Sequence, residues 1–388
     1  MIDLLVKTFV KGSDRVQDPA VRQRYGALSG GVGIFLNLFL FAFKLLAGLV
    51  TASIAITADA LNNLTDAASS VVTLIGFRLA GQEADEEHPF GHGRMEYLAG
   101  LVVSLLILLV GVELAKTSFD KILHPEPVDF SVLSAVILAA AVAVKLWMFF
   151  FNRRLSGRIG SAALAATAAD SLSDAVATGV LLLGLLAGHF FQLPLDGWLG
   201  LGVACFILRA GWGAAKDTVD PLLGQSPDPQ LVKDIEAAVM AHPQIAGIHD
   251  LVIHDYGPGR RMMCLHAEIP ADGDLLEAHD HIDAIERELK DRFGILACIH
   301  MDPIATSDPH TLALRARMAD LVREIDPAMT IHDFRITAGP RHTNLIFDVV
   351  VPHGCKLDDS AVRAAVAEKA AALEGNYYVV LQIDRVYV

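Results

Sequence analysis

Four polar residues in two otherwise apolar stretches have the types and the spacing of ligands for a metal cation. Asn62 and Asp66 are four residues apart in one stretch, and Asp170 and Asp174 are four residues apart in another. This spacing places each pair on one face of a helix, and the small residues around both pairs allow two helices to approach closely. Three carboxylates brought together would repel one another without a cation, and each costs at least about 2.5 kcal/mol at bilayer depth. The pattern therefore predicts a metal site inside a membrane, although Asn62 alone could equally form a hydrogen bond across a helix interface.

The elements that must position these residues are membrane-spanning helices. Six apolar stretches reach the length of about 20 residues that crosses a bilayer. They lie at 28–50, 55–80, 97–119, 131–152, 160–187 and 197–216. Lysine and arginine residues precede the first stretch and follow the second and fourth, whereas the turns at 51–53 and 188–197 have none. By the positive-inside rule, both termini are expected in the cytoplasm.

Composition separates a membrane part from a soluble part. The 388 residues are 53% hydrophobic and 20% charged, with a mean hydropathy of +0.45, which is too apolar for an ordinary soluble enzyme. Residues 1–216 carry a net charge of −1, and residues 217–388 account for −13 of the total −14. Such an acidic surface repels nucleic acid and suits cations, so no nucleic-acid partner is expected. The four cysteines form no CxxC pair, which argues against a thiolate zinc site.

The soluble part follows an α+β pattern that occurs twice. The first copy is predicted to contain a helix at 229–241, strands at 247–255 and 261–269, a helix at 275–292 and a strand at 296–301. Residues 247–270 are echoed by 330–352, which share the order IHD…GP.R…P, and residues 297–304 are echoed by 378–386. We interpret this as an internal duplication, with residues 305–309 as the linker.

Taken together, these features resemble the cation diffusion facilitator family of divalent metal exporters. The resemblance covers residues 20–304 and rests on the six stretches, the two polar pairs, the segment HPFGHGRMEYLAG after the second stretch, and the αββαβ region after the sixth. It implies an α-helical membrane protein with six transmembrane helices and cytoplasmic α+β ferredoxin-like domains, two in tandem. The expected domains are a cytoplasmic N-terminal segment at 1–27, the transmembrane domain at 28–216, a metal-binding domain at 217–304 and a second, degenerate domain at 305–388.

The resemblance also implies a function. Asn62, Asp66, Asp170 and Asp174 would form the transport site of a homodimer in a bacterial inner membrane. The protein would be a secondary active transporter and not an enzyme, without a prosthetic group, exchanging metal for protons by alternating access. Protons and metal would compete for the same carboxylate oxygens, and the chain has no Gly-rich phosphate loop for ATP.

The residue types at the transport site favour manganese as the cargo. Zinc-transporting members of the family typically have a histidine among these four positions, most often the one matching Asp170. Here all fifteen histidines lie outside the middle of the predicted spans. An all-oxygen site is hard and suits Mn²⁺ better than Zn²⁺, whereas imidazole suits zinc. We expect Mn²⁺ first, Fe²⁺ second and Zn²⁺ third, and the same ions could act as regulators at the sites outside the membrane.

Three further groups are candidate metal ligands outside the membrane. In the loop after the second stretch these are Asp85, His88 and His92. In the first soluble repeat the resemblance implies a binuclear site made of His249, His266, His279, His300 and Asp302. In the second repeat the matching positions are degraded, because Asp348 stands where the first has His266 and Gln382 where it has His300. The second repeat is therefore expected mainly to pack or dimerise, with at most a weak site at His332, Asp348 and Asp384.

The family pattern also implies a charge lock between Arg94 and Asp220, tying the membrane part to the soluble part. Two alternatives to a manganese exporter stay open. One is a family member of broad specificity for zinc, iron and cadmium, and another is a membrane metal sensor that does not transport. An intramembrane metalloprotease would need an HExxH motif, which the chain lacks.

Overall fold

In the computed structural model, seven helices are followed by two small α+β folds. The structure describes residues 2–16, 18–51, 54–124, 131–191, 196–339, 342–352 and 354–386. The short turns expected at 51–53 and 188–197 fall partly on residues 52, 53 and 192–195, which lie outside the described residues. By contacts the chain divides into two compact units. The membrane unit contains residues 1–225 with the turn 255–260, and the soluble unit contains residues 226–254 and 261–388.

The regular secondary structure of the membrane unit, within the described residues, is helical. Its helices are α1 (Ile2–Phe9), α2 (Pro19–Thr51), α3 (Ile54–Ala80), α4 (Met95–Leu123), α5 (Val132–Ile159), α6 (Ala162–Phe191) and α7 (Asp196–Leu222). Among the described residues, five helices are long and apolar enough to cross a membrane: α2, α4, α5, α6 and α7. The helix α3, with 27 residues, coincides with the second predicted span but is not one of these five. A helical membrane domain is thus established, while the sixth span rests on the prediction.

Glycines let α2 and α3 pack in close contact. A Cβ atom on Gly26 would lie 2.0 Å from Cγ of Phe77, and one on Gly33 would lie 2.5 Å from Oγ of Ser70. A side chain at Gly26 would require the ring of Phe77 to move, and one at Gly33 would require the hydroxyl of Ser70 to move, so glycine allows the present approach without rearrangement. Close packing through small residues is how membrane helices associate without a hydrophobic driving force between them. It fixes α3, and with it Asp66, relative to its neighbour.

The soluble unit contains the αββαβ order twice, as the sequence predicts. The first copy is α8 (Pro229–Met240), β1 (Gly247–Asp255), β2 (Arg261–Pro270), α9 (Leu275–Phe293) and β3 (Ile295–Ile304). The second is α10 (Pro309–Arg323), β4 (Thr330–Ala338), β5 (Thr343–Pro352), α11 (Asp359–Ala371) and β6 (Tyr377–Val386). The sheets have the equivalent orders β1-β2-β3 and β4-β5-β6, and β2 with β3 and β5 with β6 run parallel.

Each sheet buries one face against its own helices. Alternate residues of β5, from Leu345 to Val351, are fully buried, and the matching residues of β2, from Met263 to Ile269, are nearly so. Because side chains alternate along a strand, the other face of each sheet is left for polar residues. His266 and Asp348 lie on that second face, at equivalent positions of the two copies.

Candidate metal centres

A buried lysine joins the two helices that carry the predicted transport site. Nζ of Lys145, on α5, lies 2.6 Å from Oδ2 of Asp66 on α3 and 2.6 Å from Oδ2 of Asp174 on α6. The lysine side chain is only 4% exposed. Nearby, the hydroxyl groups of Thr73 and Thr167 lie 3.0 Å apart and join α3 to α6 directly. The structure therefore brings carboxylates from both predicted pairs to one point between three helices.

The other members of the predicted set are arranged less closely. Asp170 precedes Asp174 by about one turn of α6 and is partly buried, whereas Asn62 is exposed on α3. The neighbouring Asn63 is buried, and its amide nitrogen donates a hydrogen bond to Asp66 over 3.2 Å. In this conformation Asn63, rather than Asn62, is the amide that contacts the carboxylate.

Sequence reasoning missed Lys145. It expected three carboxylates to need a cation and took that cation to be a metal ion, whereas in the structure a lysine supplies positive charge to two of them. The available signal was a lysine near the middle of the fourth apolar stretch, since an ionisable residue inside a membrane span needs a partner. Lys44, on α2, is a second buried lysine in this unit.

The expected ion pair between Arg94 and Asp220 is not formed among the described residues. Nε and Nη2 of Arg94 donate instead to the backbone carbonyl of Asp255, at 3.1 and 2.8 Å. Its guanidinium also lies 4.9 Å from the ring centre of Tyr256. The carbonyl oxygen of Asp255, in the turn 255–260, thus accepts the hydrogen bonds of the guanidinium that the prediction paired with Asp220. Another buried charge pair of this unit is Arg22 with Glu96, at 2.9 Å.

The loop between α3 and α4 holds the first group of candidate ligands outside the membrane. Asp85 lies 3.3 Å from Nδ1 of His88 and 3.4 Å from Nε2 of His92. The backbone N–H of His88 donates to Asp85 and, as the largest contribution, holds the pKa of that carboxyl below its usual range. Nδ1 of His92 lies 3.1 Å from the carbonyl of Glu83, which orients the ring and leaves Nε2 toward the carboxylate. The predicted trio is therefore assembled, on an exposed surface.

The second group, the first-repeat group, consists of His249, His266 and Asp302, which meet on the polar side of the first sheet. Oδ2 of Asp302 lies 2.8 Å from Nδ1 of His266 and 3.1 Å from Nε2 of His249. His300 borders it, with Nε2 3.3 Å from Oδ1 of Asp302. His279 does not join it: its place on the exposed side of α9 sets it beside Asp283 of the same helix, at 4.0 Å. The predicted set of five thus contracts to four in this structure.

The third group, the second-repeat group, consists of His332, Asp348 and Asp384. His332 lies 3.8 Å from Asp348 through Nδ1 and 3.5 Å from Asp384 through Nε2. Burial, followed by repulsion from Asp384, raises the pKa of Asp348 to about 6. Burial, followed by the charge of His249, lowers the pKa of His332 and so favours the neutral imidazole, which is the form that binds metals.

Histidines of the two groups are in contact. The rings of His249 and His332 stack with their centres 4.0 Å apart. Burial opposes protonation of His249, but the carboxylates of Asp250 and Asp302 outweigh it and raise the pKa of His249. Sequence reasoning named both histidines without placing them together, because it assigned them to separate domains.

A helical membrane unit with carboxylates buried between helices, followed by an α+β unit rich in imidazole and carboxylate clusters, defines a carrier of divalent metal cations. Comparison with known proteins agrees with this class. Residues 32–223 match the cation efflux transmembrane domain, and residues 227–304 match the cytoplasmic domain of cation efflux proteins. The chain belongs to the cation diffusion facilitator family, and it is a divalent cation efflux transporter rather than an enzyme.

The relatives include one exporter named for manganese and others named for cation efflux in general. The manganese efflux system protein MneS of Bacillus subtilis is 31% identical over 290 residues, which span 73% of this chain and 99% of the relative. The cation-efflux pump FieF of Cronobacter sakazakii is 31% identical, over 72% of this chain and 94% of its own. The FieF protein of Yersinia enterocolitica is 32% identical, over 69% of this chain and 89% of its own.

Proposed function

We propose that the protein exports Mn²⁺, with Fe²⁺ as a second substrate, in exchange for protons by alternating access. The observation that carries this proposal is the meeting of Asp66 and Asp174 at one point between α3, α5 and α6, with Asp170 one turn away and no histidine beside them among the described residues. Carboxylate oxygens are hard ligands that suit Mn²⁺. The similarity to a relative named for manganese efflux points the same way.

Lys145 gives this site a cation of its own. A metal ion that binds these oxygens of Asp66 and Asp174 would have to displace the ammonium group, because Nζ of Lys145 lies only 2.6 Å from each of them. After the ion leaves on the other side, the ammonium can return and neutralise the carboxylates again. Because the ammonium competes for the oxygens, the net free energy of metal binding is less favourable, and the ion can be released.

Proton exchange follows from the same oxygens. Carboxylates bind metal in the deprotonated form, so metal binding releases protons and protons weaken metal binding. A proton entering from outside would reach Asp66, Asp170 or Asp174 as the metal departs. The pH gradient across the membrane would then drive export without ATP.

The architecture that we propose has six spans, with α3 as the second, and two tandem ferredoxin-like domains. Support for α3 comes from its 27-residue length and its packing against α2. Support for the tandem domains comes from the repeated αββαβ order and the matching strand orders. The distribution of basic residues and the family favour a homodimer in a bacterial inner membrane with both termini in the cytoplasm.

A second candidate function is export of several metals, including zinc, iron and cadmium. The specific observation in its favour is that the relatives include FieF proteins, which are named for cation efflux in general. Imidazole ligands in the loop and in the soluble unit suit zinc as well as manganese. A sensor that does not transport would use the soluble clusters alone and would leave the buried carboxylates of the membrane unit without a role.

Reconstitution into proteoliposomes tests the proposal. With an imposed pH gradient, we expect Mn²⁺ uptake to exceed Fe²⁺ uptake, Zn²⁺ uptake to be lowest, and proton release to accompany each ion. Asp120→Asn is a suitable control because Asp120 is an exposed carboxylate at the end of α4. Equal rates for all three metals would favour the broad-specificity exporter, and metal binding without flux would favour the sensor. Uptake that does not respond to the gradient would contradict antiport.

A further inference from the structure

The two soluble repeats meet through equivalent residues. His249 and Asp250 on β1 match His332 and Asp333 on β4, since both pairs belong to the shared IHD sequence. Among the described residues, Asp250 and Asp333 are the two non-glycine residues with positive φ, at 53° and 50°. A backbone conformation of this kind costs about 1–3 kcal/mol and is typical of functional sites. Its presence in both copies indicates that the second repeat has kept the local geometry of the first.

A buried carboxylate fastens one repeat to the other. Glu268, on β2, is 2% exposed. It accepts hydrogen bonds from the backbone N–H of Asp333 at 2.9 Å and from Nη2 of Arg315 at 3.0 Å. Both donors belong to the second repeat. Hydrogen bonds to a buried charge are among the stronger ones in proteins, so the strand that carries His332 is held in a fixed position beside the first repeat.

Buried nitrogen atoms at this junction lack hydrogen-bond partners. Among the described residues, Nδ1 and Nε2 of His249 and Nδ1 of His332 make no hydrogen bond of ordinary geometry, nor does Oδ2 of Asp384. The two histidine side chains are only 4% and 10% exposed. Leaving such groups unsatisfied costs about 1–3 kcal/mol each. Imidazole nitrogens and carboxylate oxygens that approach one another without hydrogen bonding have the arrangement of ligands around a cation.

The spacing of these atoms fits a metal ion. Ligands bound to zinc at about 2.0–2.1 Å in a tetrahedron are about 3.3–3.4 Å apart. Nε2 of His332 lies 3.5 Å from Oδ2 of Asp384. In the second-repeat group, one ligand atom from each of the three residues can be chosen so that all lie within 4.8 Å of one another, as in the first-repeat group. Small adjustments of side chains therefore suffice to close either group around an ion.

We propose that the two repeats together form a two-ion centre, in which the second-repeat group binds a divalent cation beside the one bound by the first-repeat group. The stacked rings of His249 and His332 lie between the two ions. The second repeat is thus a functional half of the centre, and not only a packing domain. This inference goes beyond metal export, because it concerns ions that the soluble unit retains.

The ligand types of the two groups predict different preferences. The first-repeat group offers two imidazoles and one carboxylate, whereas the second-repeat group offers one imidazole and two carboxylates. Imidazole suits zinc, and additional carboxylate oxygen favours harder ions such as Mn²⁺. The replacement of His266 by Asp348 at the equivalent position accounts for this difference. We expect the first-repeat group to retain Zn²⁺ and the second to retain Mn²⁺.

Equilibrium dialysis of the purified full-length protein against Mn²⁺ or Zn²⁺ tests the proposal. Asp384→Asn keeps the size of the side chain and removes a ligand charge, so we expect one fewer Mn²⁺ per chain and at least about tenfold weaker binding at that site. His266→Asn should remove one Zn²⁺ and retain this Mn²⁺. His342→Ala is the matched control, since His342 is an exposed histidine of the same repeat outside the group.

Two results would overturn the two-ion centre: an unchanged Mn²⁺ count in folded Asp384→Asn protein, or an equal loss in His342→Ala. Asp348→Asn provides a second variant if Asp384→Asn does not fold, with circular dichroism as the check on folding. Because these counts are made at equilibrium and without a membrane, they are independent of transport. A failure of the transport site would appear as unchanged flux in Asp170→Ala, which leaves the soluble unit intact.

Discussion

The membrane unit and the soluble unit place different nitrogen groups beside their carboxylates. In the membrane unit, the ammonium group of Lys145 lies 2.6 Å from both Asp66 and Asp174. In the soluble unit, Asp302 and Asp384 face imidazoles, and three of the buried histidine nitrogens have no hydrogen-bond partner among the described residues. One region supplies a competitor for a metal ion, and the other supplies additional ligands for it.

Under the functions proposed above, one chain would both move and retain divalent ions. A lysine ammonium would compete with a divalent cation for the same oxygens, so the membrane site could release its ion. A neutral imidazole does not compete, because its lone pair binds the metal. Release is required for transport, whereas retention is required for a regulatory site.

The largest effect is expected from removing carboxylates of the membrane unit. Asp66→Ala and Asp170→Ala should each lower Mn²⁺ flux in proteoliposomes by about 100-fold or more, since even partners outside the ligand shell contribute 10–100-fold to metal affinity. Mn²⁺ retained by the soluble unit should be unchanged in equilibrium dialysis. Asp120→Asn serves as the control. Wild-type flux in Asp66→Ala or Asp170→Ala would mean that transport uses another site.

The dependence of the soluble centre on both repeats can be tested at Arg315. Arg315→Ala leaves the buried carboxylate of Glu268 without one of its two donors from the second repeat. We expect the soluble unit to lose about 2 kcal/mol of unfolding free energy, measured by chemical denaturation. Arg317→Ala, an exposed arginine on the same helix, is the matched control. If both variants have the same unfolding free energy, Glu268 does not hold the two repeats together. The soluble centre would then lack the fixed arrangement of its two ligand groups on which its contrast with the membrane site depends.

Much of this architecture could be predicted from the sequence. Apolar stretches predicted the long helices, and the first two strands, predicted at 247–255 and 261–269, lie at Gly247–Asp255 and Arg261–Pro270. For the second copy, the echo of 247–270 in 330–352 predicted the region of β4 and β5 without separate bounds. The order of the repeated elements was also correct. These features depend on local periodicity, which a single sequence contains.

Contacts between elements could not be predicted in the same way. Lys145 stands alone in its stretch, and no spacing relates it to Asp66 on another helix. The contact between His249 and His332 depends on how two domains pack, and a duplication predicts two equal folds without predicting their arrangement. The same limit explains Arg94, whose partner is a backbone carbonyl, a group that every residue carries.

Removing the competitor should make the membrane site more like the soluble one. Lys145→Met should tighten Mn²⁺ binding about tenfold, equivalent to about 1.4 kcal/mol, while lowering the rate of transport because release becomes slower. Binding is measured by titration calorimetry in detergent and transport in proteoliposomes. Lys116→Met, an exposed lysine on α4, is the control. Unchanged affinity in Lys145→Met would show that the lysine does not compete with the metal.

The smallest effect is expected from exchanging one ligand type in the membrane unit for the type found in the soluble unit. Asp170→His introduces an imidazole among the carboxylates, which should raise the ratio of Zn²⁺ to Mn²⁺ transport several-fold, since imidazole suits zinc and hard oxygen suits manganese. The ratio is measured by competition between the two ions in one vesicle preparation. Asp170→Asn keeps an oxygen ligand and should leave the ratio nearly unchanged while lowering both rates. An equal shift of the Zn²⁺ to Mn²⁺ ratio in both variants would mean that the charge at position 170, rather than the ligand atom, determines selectivity. The difference between oxygen and imidazole ligands would then not explain which metal each region prefers.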